Sequence, residues 1–161
     1  MIIVIHHNNA LVKILNENRV EISHAAEKSL GALLFSLAKT DPNRLIVWCN
    51  EFYLDNLNLK GIEHIFHHSK IMASYSVAKK SYLPPQIGYV EDTPFINVIH
   101  DVSYPTWLMS SDVGGINAQV LNTLNPKDFQ NKNFDLFLNS VAKIGMPAGL
   151  LCYSKPKLLL G

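Results

Sequence analysis

Charge is scarce in this chain. Only 17% of its 161 residues are Asp, Glu, Lys or Arg, and fourteen basic against thirteen acidic residues leave a formal charge of +1. So even a balance offers no electrostatic footprint for nucleic acid or for an anionic membrane. With 48% hydrophobic residues beside that low charge, a disordered tail is excluded and a well-buried sheet is expected. Cysteine is also rare. Cys49 and Cys152 stand far apart in apolar runs, which favours two buried thiols of a cytoplasmic protein over a disulfide or redox pair. No apolar run approaches the ~18 residues that span a bilayer, and no charged-then-apolar leader precedes a small-residue cleavage site. The glycine patterns that cradle phosphates, Gly-x-Gly-x-x-Gly and the P-loop, are missing. There is no internal repeat, low-complexity tract or interdomain linker, so residues 1–161 are read as one domain. A chain of that size buries roughly 68–70% of its unfolded surface and needs no staple.

What is present alternates strand and helix signals. Ile2 to Ile5 and Arg44 to Asn50 are apolar runs with polar ends, as expected of inner parallel strands covered on both faces. Residues 11–21 show no single period and read as a hairpin or irregular excursion. Ala26, Leu30, Leu33, Leu34 and Leu37 fall at helical spacing, with Ser23 as N-cap and Asp41-Pro42 as stop. Phe52 to Lys60 reads as a short helix or loop, Ile62 to His68 alternates as a third strand, and residues 69–78 fit either a helix or a strand. Adjacent prolines make Ser81 to Gly88 a loop, and Phe95 to Ile99 reads as another strand. Phe134, Phe137, Leu138, Val141 and Ala142 mark a final helix stopped by Gly145-Met-Pro147, and Leu150 to Tyr153 closes the sheet. The pattern predicts an α/β fold, a three-layer αβα domain with a mostly parallel central sheet.

The stretch from Tyr104 to Leu124 is the centre of this reading. It predicts a buried strand over Thr106 to Met109, a polar turn carrying Asp112, and a helix from Val113 whose first turn holds Gly114 and Gly115. Such a strand-turn-helix puts charge and free N–H groups at a sheet edge where phosphorylated ligands bind. Asp112 reads first as the N-cap of that helix, ahead of a ligand or metal contact, and the glycine pair reads equally as close helix packing. The seven histidines make a weak metal case, because His67 and His68 would face opposite sides of a strand. Trp48 and Trp107 read as core residues rather than sugar-stacking platforms.

Taken together, Ile3 to Asn9, Leu45 to Glu51, Gly61 to His68, Trp107 to Asp112, and Asn133 to Gly145 followed by Leu150 to Tyr153 resemble, in order, the motifs of family-2 glycosyltransferases. The likeness is to a shortened copy of their nucleotide-diphospho-sugar transferase (GT-A) domain. It implies a donor pocket lined by His7, Asn9, Asn50 and Asp112, with Asp112 holding Mg2+ or Mn2+ beside a nucleotide sugar.

The departures from that family limit the chemistry. A divalent ion neutralises the leaving diphosphate and is usually framed by two carboxylates; the matching positions here are Ser110 and Asp112. Asn50 stands where the family has a nucleobase-binding Asp. Lys132-Asn133 stands where it has its general base, and neither is a base at neutral pH. Asp135, two places on, points elsewhere on a helix. Two functions follow: a nucleotide-sugar-dependent transferase domain with little or no activity alone, or a non-catalytic module that supports a linked or associated transferase domain. The apolar end, Lys157 to Gly161, suits a piece of a longer polypeptide.

Overall fold

Consecutive β-branched and aliphatic residues leave Ile2–His7 (β1) and Leu45–Asn50 (β4) little choice but a strand buried on both faces. A computed structural model describes residues 1–77, 102–130 and 133–161 of the chain. Between β1 and β4 come Ala10–Asn16 (β2), Glu21–Ile22 (β3) and helix Leu30–Thr40 (α1). A 3-10 turn (Glu51–Asn56), helix Leu59–Ile65 (α2) and strand Ile71–Tyr75 (β5) follow. The remainder holds Tyr104–Pro105 (β6), Val113–Asn117 (β7), the short helix Ala118–Leu121 (α3), helix Phe134–Gly145 (α4) and Leu151–Ser154 (β8).

Among the described residues the strands form one sheet in the order β3-β2-β1-β4-β7-β5-β8-β6. Only the β1·β4 and β5·β8 ladders are parallel, and the other five are antiparallel. The expectation of a mostly parallel sheet is therefore corrected to a mixed α/β sheet. The cause is β7, which lies between β4 and β5 and runs against both. Strands β1, β4, β5 and β8 still share one direction, so their carboxyl ends, from His7 to Ser154, reach the same edge of the sheet. Burial on both faces produces an unbroken apolar run whichever way the neighbour points, and direction could not be read from it.

Both faces are covered. On one, Ile2, Val4, Ile46, Trp48, Met72 and Ile116 pack under α1 and α4, whose Leu34, Leu37, Phe134, Phe137 and Val141 are fully buried. On the other, Ile3, Ile5, Val47 and Ala73 pack under Ile62, Ile65 and Phe66 of the α2 region and under Leu158.

Several local expectations change. Residues 11–21 do form the hairpin arm, joined to β1 through Asn8 and Asn9 at φ 48° and 66°. Two successive left-handed residues make the primed turn that suits a twisted hairpin, and asparagine tolerates it. The N-cap of α1 is Ser29, whose Oγ accepts from Ala32 N, rather than Ser23. Ile62 to His68 is not a strand: Asn58 caps α2, and Ile62, Ile65 and Phe66 form its buried stripe. The proline-rich loop at 81–88, the strand at 95–99 and Lys132 lie outside the described residues. Trp48 is a core residue as expected, whereas Trp107 is 45% exposed with the Lys143 ammonium 4.4 Å above its ring.

The largest correction falls on the central stretch. Thr106 to Met109 is irregular, and Val113 opens a strand, so Asp112 caps no helix. Gly114 and Gly115 belong to β7 and are explained by packing. A Cβ on Gly114 would meet the Trp48 ring and sit 2.6 Å from Ala73 O, and one on Gly115 would lie 2.9 Å from Phe66 Cζ. We expect Gly114→Ala to destabilise the fold by about 1–3 kcal/mol through overpacking against a backbone carbonyl that cannot yield. Urea denaturation checks this, and a loss under about 0.5 kcal/mol, the level of an ordinary surface change, contradicts it.

Candidate functional site

The shared carboxyl edge gathers the residues of interest. Here the chain crosses from α4's side of the sheet to the start of β7 through Met109, Ser110, Ser111 and Asp112. An irregular, partly buried segment has no ladder to satisfy its backbone, so side chains do so here. Met109 N donates to Asn139 Oδ1 at 2.6 Å, Ser110 N to Ser74 Oγ at 2.9 Å, and Ser111 N to Asp135 Oδ1 at 3.0 Å. Asp112 N donates to Ser110 Oγ at 3.1 Å. The carbonyls are taken as well: Ser110 O accepts from Trp48 Nε1 at 2.9 Å, Ser111 O from His6 Nε2 at 2.6 Å, and Asp112 O from Asn50 N at 2.8 Å. Side chains from β1, β4, β5 and α4 thus converge on four consecutive residues.

Asp112 itself turns its carboxylate toward the end of β5, where Oδ2 accepts from Val77 N at 2.9 Å. Asn50 does not present its amide to the edge. Its Oδ1 accepts from Phe52 N at 3.0 Å and caps the 3-10 turn. Asn9 occupies the hairpin turn and borders a shallow groove with Leu11, Glu27, Lys28 and Leu30. The structure therefore brings Asn50 and Asp112 together through their backbones, sets His7 against Glu51 and Phe52, and turns Asn9 toward α1.

His7 stands in a different group. Asn8 Nδ2 lies 3.3 Å from His7 Nε2, so we assign that nitrogen as the acceptor and Nδ1 as the protonated one. Nδ1 lies 3.0 Å from Glu51 Oε1, in close contact but without the alignment of a hydrogen bond. The His7 ring meets Phe52 edge-on at 5.5 Å between centroids, and Phe52 is 70% exposed. Phe52 thus stands open at the end of an inner strand, flanked by an imidazole and a carboxylate. Neither Glu51 nor Phe52 was a predicted site residue: Glu51 reads as the polar end of the strand run from Leu45 to Glu51, and Phe52 as the start of a helix or loop segment. The available signal was a large aromatic directly after a strand's polar end.

His6, also passed over, is 1% exposed. It packs edge-on to Phe134 at 5.6 Å. Burial holds its pKa below the ordinary 6.5, while the hydrogen bond to Ser111 and the carboxylates of Asp135 and Asp112 work the other way. Burial also pushes the Cys49 thiol up to about 12, with Asp112 adding to it, and Cys152 up to about 11. Both are free, inert core thiols, as expected.

Among the described residues no group of three or more His, Cys, Asp or Glu is arranged to hold a metal, and His64, His67 and His68 lie on α2 and the turn after it. Grooves of about 650 and 560 Å3 lie away from the carboxyl edge: one is bordered by Lys70, Val120, Phe129, Ile144 and Leu150, the other by Lys28, Phe35, Lys39 and Phe129. No helix among the described residues is long and apolar enough to cross a membrane. No protein-family model, curated protein or solved structure matches the chain.

Two outcomes follow. Asn139→Ala strips Met109 N of its acceptor at a buried position and should cost about 1–3 kcal/mol by denaturation. As pH falls below 6.5 the unfolded His6 binds a proton before the folded one does, so the stability present above 6.5 declines toward the lowered folded pKa. Replacing His6 by Gln should flatten that part of the stability–pH curve.

Proposed function

We propose that the chain is a nucleotide-binding domain of glycosyltransferase type, which takes a nucleotide sugar at the carboxyl edge of its sheet and transfers little or no sugar alone. The observation that carries this reading is the Phe52 platform with His7 and Glu51 beside it, at the end of an inner strand of an α/β sheet, where such folds bind ligands. A nucleobase stacked on that ring gains roughly 1–3 kcal/mol without any specific base contact. The Glu51 carboxylate, 3.0 Å from His7 Nδ1, is an acceptor for ribose hydroxyls. Asn50 is excluded from that role by its cap.

The residue chemistry argues against turnover. Asn133, at the place of the family's general base, is the N-cap of α4, with Oδ1 accepting from Leu136 N at 3.1 Å. Asp135 is bonded to Ser111 N. Asp112 fits a divalent ion only as a single carboxylate, as Mg2+ tolerates when substrate phosphates and water complete its shell. A working transferase domain, linked or associated, would supply the missing base.

Calorimetric titration with UDP, GDP and their sugars, with and without Mn2+, tests the reading. We expect nucleotide binding that Phe52→Ala weakens roughly fivefold or more, the equivalent of the ~1–3 kcal/mol of stacking. Its metal-dependent part should vanish in Asp112→Ala. Failure to bind any nucleotide overturns the reading and leaves a structural module supporting a transferase.

A further inference from the structure

His6 is a buried titratable side chain that the nucleotide site does not use, and its surroundings are asymmetric. Nε2 donates to Ser111 O at 2.6 Å, which fixes the neutral tautomer with the bare lone pair on Nδ1. Nδ1 is buried and has no hydrogen-bond partner among the described residues. The ring is pressed against Phe134 and is 1% exposed, so no bulk water serves that nitrogen.

The charged and titratable groups facing the ring are few. From β1 comes His7, from the crossing Asp112, and from α4 Asp135. Strand β4 contributes Trp48 and Asn50, which do not titrate. Each carboxylate already holds a backbone N–H through one oxygen, Asp135 Oδ1 that of Ser111 and Asp112 Oδ2 that of Val77.

We propose that His6 is a proton-operated latch: uptake of a proton from solvent at Nδ1 releases the Met109–Asp112 crossing from the sheet edge. A protonated ring that stays in place carries a new N–H with no acceptor and a positive charge beside Phe134. Two movements relieve it. Either Asp135 or Asp112 turns to the imidazolium and abandons Ser111 N or Val77 N, or the ring leaves the cage and gives up Ser111 O. Both remove a bond that holds the crossing, and neither depends on whether the Phe52 platform binds a nucleotide.

The test is an NMR titration of the whole chain from pH 7.5 to 5, following the His6 ring nitrogens, the Trp48 indole N–H and the Met109 and Ser111 amides. The indole donates to Ser110 O and so reports on the neighbouring link. We expect one shared transition, with exchange protection of the two amides falling at least tenfold beyond the intrinsic pH effect. His6→Gln, whose amide still donates to Ser111 O, should abolish the transition. Protonation of the His6 ring with both amides still protected overturns the proposal in the unaltered protein, whether or not the variant folds. So does a transition that persists in His6→Gln.

Discussion

Four residues without secondary structure hold the carboxyl edge together. The crossing from Met109 to Asp112 lies where a ladder cannot reach it, and the fold meets its backbone groups one by one with Asn139, Ser74, Asp135, Trp48, His6 and the Asn50 amide. A buried N–H left unmade costs more than a made bond contributes, so these side chains are constrained as a set. The same clasp delivers the chain to Val113 in the position from which β7 runs back between β4 and β5. The mixed sheet follows from that delivery.

The clasp explains why the edge looks like a ligand site from one side and like framework from the other. Its carboxylates, hydroxyl and imidazole are residue types that phosphate and metal chemistry would use, yet here they bond the protein's own backbone. What stays open is the outer corner at His7, Glu51 and Phe52, next to the hairpin turn. That corner presents a π face, an imidazole and a carboxylate, which suits a base and a ribose better than a reacting centre.

Much of the scaffold could be read from composition and period. β1, β4 and β8 declare themselves as apolar runs, and the leucines of α1 and the phenylalanines of α4 fall on single helical faces. The buried thiols were also visible, and the hairpin arm was one of two readings of residues 11–21. Ile62 to His68 was ambiguous, because Ile62, Ile65 and Phe66 satisfy a helical stripe as well as a rough alternation, and only the Asn58 cap separates them. The Gly114-Gly115 pair misled for a physical reason: what demands glycine is the Trp48 ring and the Phe66 ring pressing from the two faces of the sheet, a tertiary fact with no local signature. Strand direction was hidden by burial on both faces. Within the candidate site, His7, Asn50 and Asp112 lie at the carboxyl edge of the sheet, but which backbone groups their side chains meet depends on partners such as Val77 and Phe52 that no pattern identifies.

The central claim is that this edge, and specifically the corner after β4, receives a nucleotide. The most direct measurement is amide chemical-shift mapping of the labelled chain during titration with UDP and GDP. The account predicts that shifts concentrate at His7, Glu51 and Phe52 and spare the groove bordered by Lys70, Val120 and Leu150. Shifts confined to that groove, or none at millimolar nucleotide, would contradict it.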